Sequence, residues 1–190
     1  MNKKAIEDYK LVLFLVALMW LLEIINMTMA HSLNSFSIYP RIPEKLYGIV
    51  TMHFLHWNWA HIISNSLPLL FLGFLVCSLG KAKQVTLIIM LSSGALVWLF
   101  AREGTHAGAS ALVMGYWGYL ISCAIFERSL KNILVAIVTV AIYGGIVFSL
   151  IDFRASISFE GHIFGFISGV TSAWVLHKKT IKSYNNKIEG

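Results

Sequence analysis

Residues 106–115 read HAGASALVMG, with Ser110 between two alanines and two residues after Gly108. A serine in such surroundings is either a packing position between helices or a nucleophile that tolerates little side-chain bulk around it. Small residues at Gly108, Ala111 and Gly115 continue down one helical face, and such a stripe lets another helix approach closely. Taken alone, Ser110 is therefore more typical of packing than of catalysis.

A second group of polar side chains lies in residues 53–65, which read HFLHWNWAHIISN. His61 and Asn65 are four residues apart, so they lie on one face of a helix within mutual reach. His53 and His56 have an equal alternative as interfacial residues beside tryptophans, with their polar tips in the headgroup region. Asn65 fits that alternative poorly, because it lies a full turn deeper.

The third candidate is His162, in the segment GHIFGFISG. Glycines three and seven residues after it lie on the same helical face, which predicts a closely packed helix contact beside the histidine. A lone histidine on such a face is usually structural. His162 therefore points to chemistry only if the fold brings it to the other polar groups.

The composition places these residues in a membrane protein. Of 190 residues, 57% are hydrophobic and 13% are charged, whereas a soluble domain carries about 25% charged residues. Six apolar runs reach or approach the twenty or so residues with which a helix crosses a bilayer. We therefore predict an all-α integral membrane protein, a six-transmembrane-helix bundle that forms one domain over residues 1–190. The predicted spans are 11–29, 49–79, 85–103, 109–126, 133–151 and 159–177, followed by a short polar tail that frays.

The basic residues predict the orientation of this bundle. Eleven of the 15 Lys and Arg residues lie on the side of the two termini, and excess positive charge marks the cytoplasmic side. We therefore expect a multi-pass integral membrane protein with both termini in the cytoplasm and a long external loop at 30–48. The net charge of +6 does not indicate nucleic acid, since the basic residues form no patch. Cys77 and Cys123 have no metal-binding or redox spacing and are expected to be packed hydrophobes.

The candidate residues lie at about the same predicted depth in the bilayer. At about 1.5 Å per residue, three of them lie about 22–25 Å above the charges at the inner ends of their spans, and the fourth lies one turn higher. Helix packing does not require this agreement, so it favours a chemical site. The residues concerned are Ser110, His162, Asn65 and His61.

A serine and a histidine at one level can act as nucleophile and general base. The Asn65 amide, the His61 ring and the Ser110 backbone N–H are possible donors to the oxyanion of acyl transfer. Gly108 would let a substrate backbone approach closely. No carboxylate lies at that depth to orient His162. The sequence therefore predicts a Ser–His dyad that uses no metal and no cofactor.

The segments HWNWAHIISN, GASALVMG and GHIFGFISG, in this order, resemble the rhomboid intramembrane serine proteases. The resemblance runs over nearly all of residues 46–177. The chain is similar to the compact six-helix bacterial form of the family, which implies a bacterial inner membrane as the location. The resemblance also implies a serine endopeptidase that cleaves transmembrane protein substrates, from the lipid bilayer, near the outer end of their spans. By the resemblance Ser110 is the nucleophile and His162 the base. The other matched positions are His61 and Asn65 (oxyanion), His56 (holding the external loop) and Gly108 (the first glycine of the family's GxSG).

The sequence departs from the family pattern at Ala111, where a glycine usually follows the nucleophile. Its methyl group is expected to crowd the contact between the fourth and sixth spans or tilt the Ser110 N–H, at a modest cost. Ala111 is also the only support for an alternative, a pseudoprotease that binds membrane clients without cutting them. A metal-binding channel or transporter that uses His53, His56 and His61 is disfavoured, because their spacing puts them on different faces and no internal repeat is present.

Overall fold

The computed structural model describes residues 3–152 and 158–188. All regular elements in those residues are helical, apart from one isolated antiparallel bridge between Ile38 and His106. The α-helices are α1 (Lys3–Thr28), α2 (Gly48–Thr51), α3 (Trp59–Ser78), α4 (Ala82–Phe100), α5 (Ser110–Phe126), α6 (Leu130–Tyr143) and α7 (Phe159–Ile188). Short 3₁₀ helices cover Ser32–Phe36, Pro43–Lys45 and Gly144–Ile151.

Four helical segments of the described chain are long and apolar enough to cross a membrane. They are Ala5–Thr28, Trp59–Ser78, Ala82–Phe100 and Leu130–Ile151, the last of which joins α6 to the 3₁₀ helix that follows it. Helix α5 is equally apolar but has only 17 residues. The predicted all-α membrane class is therefore confirmed, and the count of six spans stays a prediction.

Several helix bounds differ from the predicted spans. Helix α3 begins at Trp59 instead of residue 49, because Asn58 is extended and its side chain accepts the N–H of His61 at 2.9 Å, which caps the helix. The fifth span ends its α-helix at Tyr143 and continues as a 3₁₀ helix to Ile151. The tail predicted to fray remains helical to Ile188, and no glycine or proline occurs between 178 and 188 to end it.

Helix α5 lies at the centre of the fold and packs closely against α7. A side chain added at Gly165 would collide with the carbonyl of Ala111, and one added at Gly169 would collide with the carbonyl of Gly115. The two helices therefore meet backbone to backbone, which is the close contact that the two stripes of small residues predict. This contact sets the separation between the helix that begins at Ser110 and the helix that carries His162.

The segment 29–58, called the outer segment after the predicted orientation, packs against the ends of the helices near Ser110. Ile38 and Met52 from this segment form a buried apolar cluster with Val97, Ala101 and Ala111 of the α4–α5 region. The short helix α2 approaches α4 so closely that a side chain at Gly94 would strike the backbone of Ile49. The segment thus covers the outer end of α5, beside Ser110.

Candidate active site

Ser110 is the first residue of α5 and is only partly buried. It lines a cavity of about 780 Å³, while its neighbour Ala111 meets Gly165 of α7 with its backbone. Helix packing alone, which the local sequence favours, does not account for a serine that lines a cavity.

The cavity brings together the four polar residues that the sequence places at one level. Ser110 of α5, His162 of α7, and His61 and Asn65 of α3 all line it. A volume of about 780 Å³ is within the range of roughly 300–1,000 Å³ that ligand-binding pockets occupy. Residues far apart in the sequence thus share one polar space among the helices.

His162 is oriented by a backbone carbonyl. Its Nδ1 lies 2.9 Å from the carbonyl oxygen of Ser149, in the 3₁₀ helix that follows α6. Because a carbonyl oxygen only accepts, Nδ1 must carry the proton, and Nε2 is left as the unprotonated nitrogen of a neutral ring. The sequence analysis missed this partner, since a backbone carbonyl leaves no side-chain signature.

The serine and the histidine line the same cavity but are not joined by a hydrogen bond. No hydrogen bond joins Ser110 to His162 among the hydrogen bonds of the described residues. Catalytic hydrogen bonds are often long in enzymes without substrate and tighten when it binds. The arrangement is therefore compatible with a nucleophile and base that meet on substrate binding.

Asn65 holds an amide donor that the fold does not use. The residue is 6% exposed, and its Nδ2 has no hydrogen-bond partner in the part of the chain that the structure describes. Leaving such a buried donor unpaired costs about 1–3 kcal/mol. A side chain added at Gly108 would lie 3.5 Å from this nitrogen, so the amide group lies against the backbone that leads into Ser110.

Gly108 brings the backbone before Ser110 close to His61. Its φ of +120° is a conformation that side-chain-bearing residues rarely adopt, and an added Cβ would lie 2.6 Å from Nε2 of His61. Its own N–H donates to the carbonyl of Met52 at 2.8 Å. Glycine is therefore required both by conformation and by space at this position.

His56 supports the backbone immediately before Ser110. Its Nε2 accepts the N–H of Ala109 at 3.4 Å, and its carbonyl accepts the side chains of Asn34 at 2.9 Å and Asn26 at 3.4 Å. Burial, together with the nearby His61 ring, lowers the pKa of His56 to about 3, so its Nε2 remains an acceptor at neutral pH.

The interfacial interpretation of His53 and His56 is wrong. His53 is 1% exposed and His56 is fully buried, and each ring forms a hydrogen bond inside the fold. His53 Nε2 lies 3.2 Å from the carbonyl of Met90, to which it donates, and His56 contacts Ala109 as described. The two histidines hold the segment 29–58 to α4 and to the start of α5.

Ala111 takes part in the contact between α5 and α7 with its backbone, which a side chain added at Gly165 would strike. Ala111 is 1% exposed, and its side chain belongs to the apolar cluster with Ile38, Met52 and Val97. Phe164 of α7 also packs against this cluster. The expected crowding by the methyl group therefore stays a prediction.

The side chains of this protein that could bind a metal ion are those of His, Cys, Asp and Glu. The described chain contains no group of three or more His, Cys, Asp or Glu side chains that could hold a metal ion. His53 and His56 use their rings for Met90 and Ala109. Cys77 and Cys123 are buried and unpaired by disulfide.

The fold and the site together define a class of protein, a helical membrane protein whose helices enclose a polar cavity with a serine and a histidine. The sequence model of the Rhomboid domain matches residues 43–179. The chain belongs to the rhomboid family.

Relatives with similar sequences occur in bacteria and a virus. An uncharacterized protein of Mycobacterium tuberculosis is 32% identical over 176 residues, which cover 87% of this chain and 73% of that protein. An uncharacterized protein of Mycobacterium leprae is also 32% identical, over 87% of this chain and 70% of its own length. A protein of Acanthamoeba polyphaga mimivirus, named as a rhomboid protein, is 31% identical over 61% of this chain and 67% of its own.

Proposed function

We propose that this protein is an intramembrane serine endopeptidase in which Ser110 is the nucleophile and His162 the general base. The observation that carries the proposal is the buried, unpartnered amide of Asn65 beside the backbone that leads into Ser110. A donor kept without a partner at a cost in stability is suited to a charge that exists only during reaction. Family membership supports the same class of activity.

The first half of the reaction forms an acyl-enzyme. The Ser110 hydroxyl attacks the scissile carbonyl carbon while Nε2 of His162 takes its proton, which the Nδ1–H bond to Ser149 makes possible. Negative charge then develops on the carbonyl oxygen and is stabilised by the Asn65 amide, with His61 and the Ser110 N–H as further donors. The intermediate breaks its C–N bond, and the leaving amine takes the proton from His162.

The second half hydrolyses the ester on Ser110. Water in the cavity gives a proton to His162 and attacks the ester carbonyl, and the same donors stabilise the second oxyanion. Breaking the C–O bond returns the proton to Ser110 and releases the acid. The cavity of about 780 Å³ supports this step, because lipid cannot supply the water.

The substrates proposed for this site are transmembrane proteins that present an extended backbone near the outer end of their span. We propose that six helices span the membrane and that both termini are cytoplasmic, in a bacterial inner membrane. Eleven of the 15 Lys and Arg residues then lie on the cytoplasmic side. Ser110, at the outer end of α5, would lie in the external half of the bilayer.

The decisive experiment is covalent labelling of the detergent-purified protein with a fluorophosphonate, a probe that reacts with activated serines. We expect labelling of the wild type and none of Ser110→Ala, with folding of both checked by their thermal unfolding. A folded wild type that resists the probe under all conditions would contradict the proposal. Cleavage of a single-span test protein in liposomes, lost in Ser110→Ala and His162→Ala, would then define the reaction.

The same labelling experiment distinguishes the proposed endopeptidase from the pseudoprotease alternative. Labelling that is absent in the wild type and gained in Ala111→Gly would assign the lack of activity to one methyl group. Labelling of the wild type would rule this alternative out.

A further inference from the structure

A second serine–histidine pair, His106 and Ser158, lies in the wall of the same cavity. Nδ1 of His106 is 2.6 Å from the hydroxyl oxygen of Ser158. His106 is 3% exposed, and its backbone N–H donates to the carbonyl of Ile38 at 3.0 Å. The pair therefore joins the loop before α5 to the start of α7 and to the outer segment.

The carbonyl partner of Nε2 limits the hydrogen-bond roles of His106. Nε2 is 3.0 Å from the carbonyl oxygen of Arg102 and must donate to it. In a ring that carries this one proton, Nδ1 accepts the proton of the Ser158 hydroxyl. The Ser158 oxygen remains free to accept the N–H of Gly161 at 3.3 Å, which is the bond that caps α7.

The position of the pair along the chain relates it to the reacting groups. His106 lies four residues before Ser110, and Ser158 lies four residues before His162. The N–H of His162 donates to the carbonyl of Ser158 at 3.3 Å. One hydrogen bond between His106 and Ser158 therefore connects the chain that leads to the nucleophile with the helical turn that carries the base.

A second contact reinforces the first. The backbone N–H and the Nε of Arg102 lie 3.4 and 3.3 Å from one carboxylate oxygen of Glu160, in the first turn of α7. Glu160 is 7% exposed. The loop 101–109 therefore contacts the start of α7 at two places, Ser158 and Glu160.

We propose that His106 and Ser158 are positioning residues that hold Ser110 and His162 at reacting distance. This role rests on the proposed function of Ser110 and His162 and adds a residue pair that takes no part in the proton transfer. Because Ser110 and His162 are not directly bonded, the separation between them depends on such contacts around them.

The test compares Ser158→Gly, which removes the hydroxyl while glycine still caps a helix nearly as well, with Ser158→Thr, which keeps the hydroxyl. We expect Ser158→Gly to lower the fluorophosphonate labelling rate and kcat by about tenfold or more, with KM within about twofold. Ser158→Thr should restore both. Equal rates for wild type and Ser158→Gly would overturn the proposal.

The matched control is Ser172→Ala, which removes another buried hydroxyl from α7 that, among the described residues, bonds to the carbonyl of Ser168 alone. It should leave labelling unchanged. His106→Asn keeps an acceptor near the Nδ1 position and is expected to retain more activity than His106→Leu. The double variant Ser158→Gly with His106→Leu should be no slower than His106→Leu alone, since both changes break one bond.

Amide hydrogen exchange tests the pair without any activity. Ser158→Gly should speed exchange at residues 106–109, across the contact from the substitution, whereas Ser172→Ala should not. Unchanged exchange there would contradict the connection. A wild type that is not labelled would overturn the proposed function, while the exchange result would still decide whether the pair joins the two segments.

Discussion

At the scale of single residues, two buried asparagines of similar exposure do opposite things. Asn34 is 3% exposed and donates to the carbonyl of His56, so its amide stabilises the fold. Asn65 is 6% exposed, and its Nδ2 has no partner in the described part of the chain. If Asn65 acts as proposed, truncation of Asn34 should lower stability, whereas truncation of Asn65 should lower activity.

We predict that Asn65→Ala lowers kcat by about 10²–10³-fold, the usual effect of removing one oxyanion donor. The melting temperature in detergent should stay unchanged or rise, because no bond to the fold is lost. Asn34→Ala is the matched control and should lower the melting temperature. Steady-state kinetics with thermal unfolding checks both, and a destabilised, fully active Asn65→Ala would assign Asn65 to structure.

At the scale of elements, the contact between α5 and α7 sets the geometry of the site. The two helices touch through glycine backbones, so the separation of their axes depends on the absence of side chains. Gly145, in the 3₁₀ helix after α6, has no such role, because a side chain there would meet nothing within 4 Å. Equal substitutions at the two places should have unequal effects.

Gly165→Ala should destabilise the protein by about 1–3 kcal/mol or more, because its methyl group strikes the Ala111 carbonyl and forces the helices apart. Labelling of Ser110 should fall with it. Gly145→Ala should be neutral for stability. Thermal unfolding of the pair in one detergent measures the difference, and equal melting temperatures would show that α5 and α7 do not pack in this way.

The connection between α2 and α3 predicts a pH dependence. Burial lowers the pKa of His53 from its ordinary value of 6.5 to about 4, so the unfolded chain binds a proton that the folded protein does not between these values. Stability therefore rises with pH across that window, by up to about 1.4 kcal/mol per unit for each such histidine. It is fully present above pH 6.5 and is lost as the pH falls toward 4.

Unfolding midpoints between pH 7.5 and 4.5 measure this effect. His53→Gln keeps a donor for the Met90 carbonyl but cannot ionise. We expect its midpoint to change less steeply with pH than that of the wild type. Identical slopes would mean that His53 does not remain neutral inside the fold.

At the scale of the whole molecule, the distribution of the basic residues and the lengths of the apolar helices together predict how the protein is oriented in the membrane. The basic residues cluster at the ends of the apolar runs, and four described helical segments are long enough to cross. In the proposed orientation, the external half of the bilayer holds the cavity, and the loop between α3 and α4 is cytoplasmic. This orientation decides from which side water and substrate reach Ser110.

The orientation is tested with single cysteines and a maleimide that does not cross membranes. Glu44→Cys and Lys83→Cys are placed at exposed positions on opposite sides in the proposed topology. The native cysteines are buried, which keeps the background low. In intact cells we expect labelling at position 44 and none at position 83 until the membrane is permeabilised. The reverse pattern would invert the proposed topology.

Several features of this protein follow from the sequence alone. The membrane class follows from composition, because apolar runs of this length have no soluble alternative. The contact between the small-residue stripes follows from helical periodicity, which is a local property. The shared level of Ser110, His162, His61 and Asn65 follows from counting along straight helices, and all four line one cavity.

Other features were decided only by tertiary structure. Whether Ser110 packs or faces a cavity depends on the rotation of α5 about its axis, which the contact with Gly165 and Gly169 sets. The direction of the Ala111 methyl follows from the same rotation. The partner of His162 is a backbone carbonyl from a non-adjacent segment, and the bond between His106 and Ser158 joins residues 52 positions apart. Such contacts depend on how the helices are placed against one another, and every residue carries a carbonyl, so sequence patterns carry no mark of them.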